Sequence, residues 1–181
     1  MPDTHTTTVL PHAARKTSVR RRLALGLIII AVACCIDEVR AQPSTAPDFA
    51  LRSLERGNQR LSEYRGDVVV LSFWASWCGD CRRALPELND LYARHRDAGL
   101  VMLGINLDRD AERAREFARV LELDFPVLMD ADGVVSRLYA VEQVPRIVVI
   151  DRDGVMRHVH DSPDAAGSDV LVEEIVALLG N

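Results

Sequence analysis

Trp77-Cys78-Gly79-Asp80-Cys81, preceded by Val68-Val69-Val70-Leu71-Ser72-Phe73-Trp74 and followed by Arg82-Arg83-Ala84-Leu85-Pro86-Glu87-Leu88, decides how this chain folds. A continuous apolar run of strand length reads as a strand covered on both faces, and the stretch after it has helical spacing. The two cysteines therefore fall at a strand-to-helix junction, where a pair three positions apart can close a disulfide across one turn. The first sulfur there lies beside the unpaired N–H groups of a helix N-terminus, which favour its thiolate. In such settings a cysteine pKa falls from about 8.5 to roughly 3.5–7.5, and the thiolate is the nucleophile of thiol–disulfide exchange. A stabilising disulfide or two buried thiols would fit a bare CxxC equally well.

Outward from this motif the alternation continues. Leu100–Leu107 reads as a second buried strand and Ala111–Leu121 as a helix with Ala114, Phe117, Ala118 and Leu121 on one face. Pro126–Met129 gives a short strand and Val134–Tyr139 a short helix. Ile147–Ile150 turns through Asp151-Arg152-Asp153-Gly154 into Val155–His160, a hairpin with a glycine-containing loop, and Val170–Leu179 closes as an amphipathic helix. Upstream, Phe49–Ser53 and Arg60–Leu61 around Arg56-Gly57-Asn58 suggest a small hairpin. The helix running from about Gly79 to Asp97 contains Pro86, which is expected to kink it. Strands alternating with helices before a terminal hairpin indicate an α/β sheet with one antiparallel edge.

The front of the chain has a different composition. Arg15, Lys16, Arg20, Arg21 and Arg22 precede an unbroken apolar stretch from Leu23 to Ile36. That stretch is short for a bilayer span but of the size of a secretory h-region, and it has no polar face for a core helix. Residues 1–41 are therefore read as a signal peptide or signal anchor, with cleavage after Ala41, retention and lipid modification at Cys34 all open. Residues 42–47 read as a linker and 48–181 as the domain. The first 41 residues hold six basic and three acidic side chains, which leaves the remainder with 16 basic and 24 acidic, a net −8. So acidic a domain is poorly suited to nucleic acid or an anionic membrane surface. Of the four cysteines, Cys34 and Cys35 lie in the signal segment. Cys78 and Cys81 then have no second pair with which to complete a Cys₄ zinc site.

Several motifs in order resemble the exported thioredoxin-like thiol-disulfide oxidoreductases of bacteria, membrane-tethered or periplasmic, including the reductases of cytochrome c maturation. They are Ala46-Pro47-Asp48-Phe49, Leu61-Ser62-Glu63-Tyr64-Arg65-Gly66, Phe73 to Cys81, Pro86 in the following helix, and Val144-Pro145 before a strand. The resemblance spans roughly residues 46–179. It implies a thioredoxin fold, a central mixed sheet flanked by helices, with an N-terminal hairpin and an extra helix and strand between Asp108 and Leu128. It implies Cys78 as the attacking nucleophile, Cys81 as the resolving cysteine, and a cis Val144–Pro145 bond whose exposed backbone pairs with a client segment. Trp77 would cover part of the site while Trp74 joins the core. Electrons would come from an integral-membrane thiol donor, the clients being proteins with disulfides. No cofactor or metal beyond the redox-active Cys78–Cys81 pair is expected, and the protein is expected to be a monomer.

Two positions depart from the family pattern. Asp80 and Gly79 separate the cysteines, and Asp80 stands where proline is common. From about 6 Å, with near-surface screening, its carboxylate would oppose the Cys78 thiolate by on the order of 1 kcal/mol, at most about 20 mV towards a more reducing couple. Arg82 and Arg83 act in the opposite sense. Ser72 occupies the strand position of a buried aspartate that in plain thioredoxins helps deprotonate the second cysteine. Two other functions share this motif: a copper-binding module using both thiolates, although no histidine lies near the motif in sequence and His158 and His160, alternating in a strand, read as surface side chains, and a thiol peroxidase on the same fold.

Overall fold

In the computed structural model, which describes residues 44–180, the apolar run Val68–Trp74 is a strand buried at every position. The expected signal segment, with Cys34 and Cys35, lies outside the described residues. Along the chain the elements are β1 (Ala50–Ser53), β2 (Gly57–Arg60), β3 (Val68–Trp74), α1 (Gly79–His95), β4 (Leu100–Asn106), α2 (Ala111–Val120), β5 (Val127–Met129), α3 (Val134–Leu138), β6 (Arg146–Ile150), β7 (Met156–His160) and α4 (Asp169–Leu179).

Among the described residues seven strands form one mixed sheet in the order β2-β1-β5-β4-β3-β6-β7. The centre is parallel, with β3 against β4 and β4 against β5. Both flanks are antiparallel: β6 and β7 on one side, β1 and β2 on the other. Strands alternating with helices before one terminal hairpin predict a single antiparallel edge. The expected N-terminal hairpin is real, but β1 docks on β5, so a segment remote in sequence supplies the second edge. The hairpin turn also lies earlier than expected, at Leu54–Arg56, because the Ser53 hydroxyl accepts the N–H groups of Glu55 and Arg56 at 3.2 and 3.3 Å. Gly57 (φ 78°) then opens β2 in a backbone region open mainly to glycine.

Side chains of β3 alternate between two apolar layers. Val68, Val70 and Trp74 meet Leu85, Leu88 and Leu91 of α1, with Leu171 and Ile175 of α4. Val69, Leu71 and Phe73 meet Leu61, Ile105 and Tyr139 on the opposite face. Helix α1 buries Cys81, Ala84, Leu85, Leu88 and Leu91, a stripe of three- and four-residue steps. Pro86 sits inside this helix without ending it, and its missing N–H leaves the Arg82 carbonyl without its helical donor. On β4, Gly104 gives the space that two aromatics need: a Cβ there would stand 2.8 Å from the Phe125 ring and 3.0 Å from Trp74 Nε1.

Part of the expected linker is bound to the domain. Thr45 bridges Val155, Met156 N–H donates to the Ser44 carbonyl at 2.9 Å, and Ala46 N–H donates to Gly154 O at 2.9 Å. Backbone pairing with the β6–β7 hairpin thus overrides the loop-like composition of Ser44–Pro47.

Candidate active site

The cysteine pair lies at the C-terminal end of β3, the end of a parallel sheet where α/β folds place their ligands. Cys78 is the N-cap of α1, and its Sγ accepts the backbone N–H of Cys81 at 3.0 Å. A sulfur in this position replaces the usual capping oxygen and sits at the positive end of the helix dipole. The two cysteines are joined as a disulfide with Cα atoms 5.3 Å apart. Cys81 is wholly enclosed, whereas Cys78 keeps a small exposed surface. Trp77 beside them is 70% exposed, while Trp74 is fully buried.

The second half of the site comes from far along the chain. The Val144–Pro145 peptide is cis, and the Val144 carbonyl oxygen lies 3.6 Å from Cys78 Sγ. Cys78, Cys81, Val144 and Pro145, named separately from the sequence, therefore form one site. Gly79 opens α1 with nothing within 4 Å of where a Cβ would stand, so packing does not demand glycine there. Ser72 is buried on the β3 face that looks towards α1, and its hydroxyl has no hydrogen-bond partner among the described residues.

The charges around the motif are arranged more specifically than the sequence suggested. Arg83 Nη2 meets Asp80 Oδ1 at 2.6 Å, with both side chains more than half exposed. Arg82 instead lies over the Phe117 ring, 4.6 Å from its centroid, and Phe117 stacks on Trp74 at 5.4 Å. Arg83 thus screens Asp80 directly, which reduces the field that Asp80 exerts on Cys78 below the unscreened value.

A buried polar chain that the sequence reading did not identify steadies the loop before Cys78. Asp108, 5% exposed, accepts the Ser76 N–H at 2.8 Å, the Ser76 hydroxyl at 2.9 Å and Asn106 Nδ2 at 2.8 Å. Asp130 N–H donates to the Asn106 carbonyl at 2.8 Å, and the Asp130 carboxylate accepts the Val135 and Ser136 N–H groups at the start of α3. These residues tie together the ends of β3, β4 and β5. The available signal was an acid placed directly after a buried strand. His158 and His160, weighed as copper ligands, both bond to Glu174 of α4.

Known proteins share this fold and much of this sequence. The AhpC/TSA family model matches residues 43–159. The thiol-disulfide oxidoreductase ResA of Geobacillus thermodenitrificans is 35% identical over 136 residues, 75% of this chain and 78% of that protein. Among solved structures, a Chlorobium tepidum protein assigned as the thiol:disulfide interchange protein DsbE superposes with a TM-score of 0.71 at 36% identity. That match covers 76% of this chain and 97% of the other. A secreted disulfide oxidoreductase of Mycobacterium tuberculosis, homologous to E. coli DsbE, gives a TM-score of 0.64 at 30% identity, covering 72% and 96%.

Proposed function

Because this chain belongs to the AhpC/TSA family and is a thioredoxin-like thiol-disulfide oxidoreductase, we propose that it reduces protein disulfides outside the cytoplasm through a Cys78/Cys81 cycle. The observation that carries this reading is the position of Cys78 Sγ, capped by the Cys81 N–H at 3.0 Å and facing the Val144 carbonyl at 3.6 Å. One sulfur there has both a donor to stabilise its thiolate and a backbone edge against which a client can lie.

In the forward cycle the Cys78 thiolate attacks one sulfur of a client disulfide, forming a mixed disulfide and releasing the other client sulfur as a thiolate. Cys81, losing its proton, attacks Cys78 Sγ, expels the second client thiolate and closes the Cys78–Cys81 bond. Two electrons pass from the dithiol to the client, whose thiolates take up protons. A dithiol donor restores Cys78 and Cys81, and we assign that role to an integral-membrane thiol carrier. Trp77 is read as part of the client surface, Val144 and Pro145 as its backbone platform, and Asp80, screened by Arg83, as a weak bias towards reduction.

Export rests on the cationic block and apolar stretch of residues 15–36, which we read as a signal peptide or anchor ahead of a monomeric domain. The test is equilibration of the Cys78–Cys81 couple in defined thiol buffers. A potential near or below about −250 mV supports reduction of clients, and one near about −120 mV, that of a strong oxidant, contradicts it.

A further inference from the structure

Asp161, just past the end of β7, grips the cis-proline loop from both sides. Its backbone carbonyl accepts Gln143 Nε2 at 3.0 Å, and its carboxylate accepts Arg146 Nη1 at 2.9 Å. Gln143 immediately precedes the Val144–Pro145 pair and Arg146 immediately follows it. The grip follows from strand register: Ile147 pairs with His160, so the next antiparallel step sets Arg146 opposite Asp161. The strand that presents Asp161 is itself fixed. His158 Nδ1 and His160 Nε2 meet the two carboxylate oxygens of Glu174 at 2.9 and 2.7 Å, clamping the end of β7 to α4.

Arg146 needs this partner. Its side chain is only 16% exposed, and its Nε has no hydrogen-bond partner among the described residues. Without the Asp161 carboxylate, a largely enclosed guanidinium loses its counter-charge and moves to recover one, taking the backbone beside Pro145 with it.

We propose that Asp161 is a positioning residue for client binding. By holding Gln143 and Arg146, it keeps the Val144 backbone where an extended client strand can pair with it while its disulfide reaches Cys78. This rests on the reading of Val144 as a client contact. It identifies a determinant of productive binding that lies outside the motif and acts without touching sulfur.

The test uses the purified protein and a disulfide-bonded peptide as substrate. Asp161→Ala is expected to raise KM about ten-fold while kcat changes by less than about two-fold, the signature of misplaced binding rather than lost chemistry. Asp161→Asn serves the same purpose if the alanine variant does not fold. Combining Arg146→Glu with Asp161→Arg reverses the ion pair and should bring KM back to within about three-fold of the parent, which a general loss of stability would not do. Hydrogen exchange at the Val144 amide in the Cys81→Ser peptide adduct separates this inference from its premise. Slowed exchange together with the KM loss supports both. Slowed exchange with KM unchanged in the Asp161 variants, or no recovery in the reversed pair, overturns the role of Asp161 alone. Unslowed exchange removes the client-contact reading and this inference with it.

Discussion

Between Trp74 and Pro86 the first half of the redox site draws mainly on sequence neighbours. Cys78 caps the helix that carries Cys81, Arg83 meets Asp80 one turn away, and Trp74 floors the motif from the preceding strand. The Gln143–Arg146 half is assembled differently. It is held by Asp161, 15 to 18 positions away, and meets Cys78 across 66. A contiguous motif can carry the chemistry, because a strand, a cap and a helix form together. The surface proposed to choose a client depends on strand register, and register is fixed by the whole sheet. Loss of the attacking sulfur in the first half should therefore abolish turnover, and mutations in the second half should alter binding.

The sharpest break in this contrast is Cys78→Ser, which removes the attacking sulfur and should lower disulfide-reductase turnover by roughly three orders of magnitude or more. Next is the floor of the motif. Trp74→Ala empties a fully buried site between α1 and the sheet and should cost about 3–5 kcal/mol in denaturant unfolding. Asp108→Ala then probes a long-range polar tie of the first half. It leaves Ser76 N–H, Ser76 Oγ and Asn106 Nδ2 without their acceptor, and about 2–3 kcal/mol of stability should go, with faster hydrogen exchange at Ser76.

The second half has an acid-sensitive foundation in Asp151, at the β6–β7 turn. Burial alone would raise its pKa, but N–H groups of Val155 and Asp153 and the Arg157 guanidinium outweigh that and hold the carboxyl below its ordinary value of 3.8. A depressed pKa contributes stability that is present above the unfolded value and is lost as the pH falls through the folded one. The stability gap between wild type and Asp151→Asn should therefore shrink as the pH drops below about 4, as followed by unfolding at several pH values. The smallest effect expected is at Asp80. With Arg83 screening it, Asp80→Pro should raise the redox potential by up to about 20 mV, and no change, or a shift towards more negative values, would remove Asp80 as a bias to reduction.

Much of this was legible in the sequence because it is periodic or local. The alternating apolar layers of β3, the stripe of α1 and the cysteine spacing each follow from short-range geometry. The Val144–Pro145 partner was reached through the order of motifs rather than through local propensity. What escaped the reading depends on tertiary pairing. The docking of β1 on β5 places a second antiparallel edge where no neighbouring residues specify one. Ser44–Ala46 pair with the β6–β7 hairpin despite their linker-like composition. Asp108, Asp161 and Glu174 look like ordinary surface acids until folding brings Ser76, Arg146 and two histidines against them.

The central claim is that Cys78 attacks and Cys81 resolves, and mixed-disulfide trapping tests it most directly. Full-length Cys81→Ser, expressed in its native setting and quenched with acid, should carry client proteins bound through Cys78, identifiable by mass and released by dithiothreitol. Adducts accumulating on Cys78→Ser instead, joined through Cys81, would contradict the assignment.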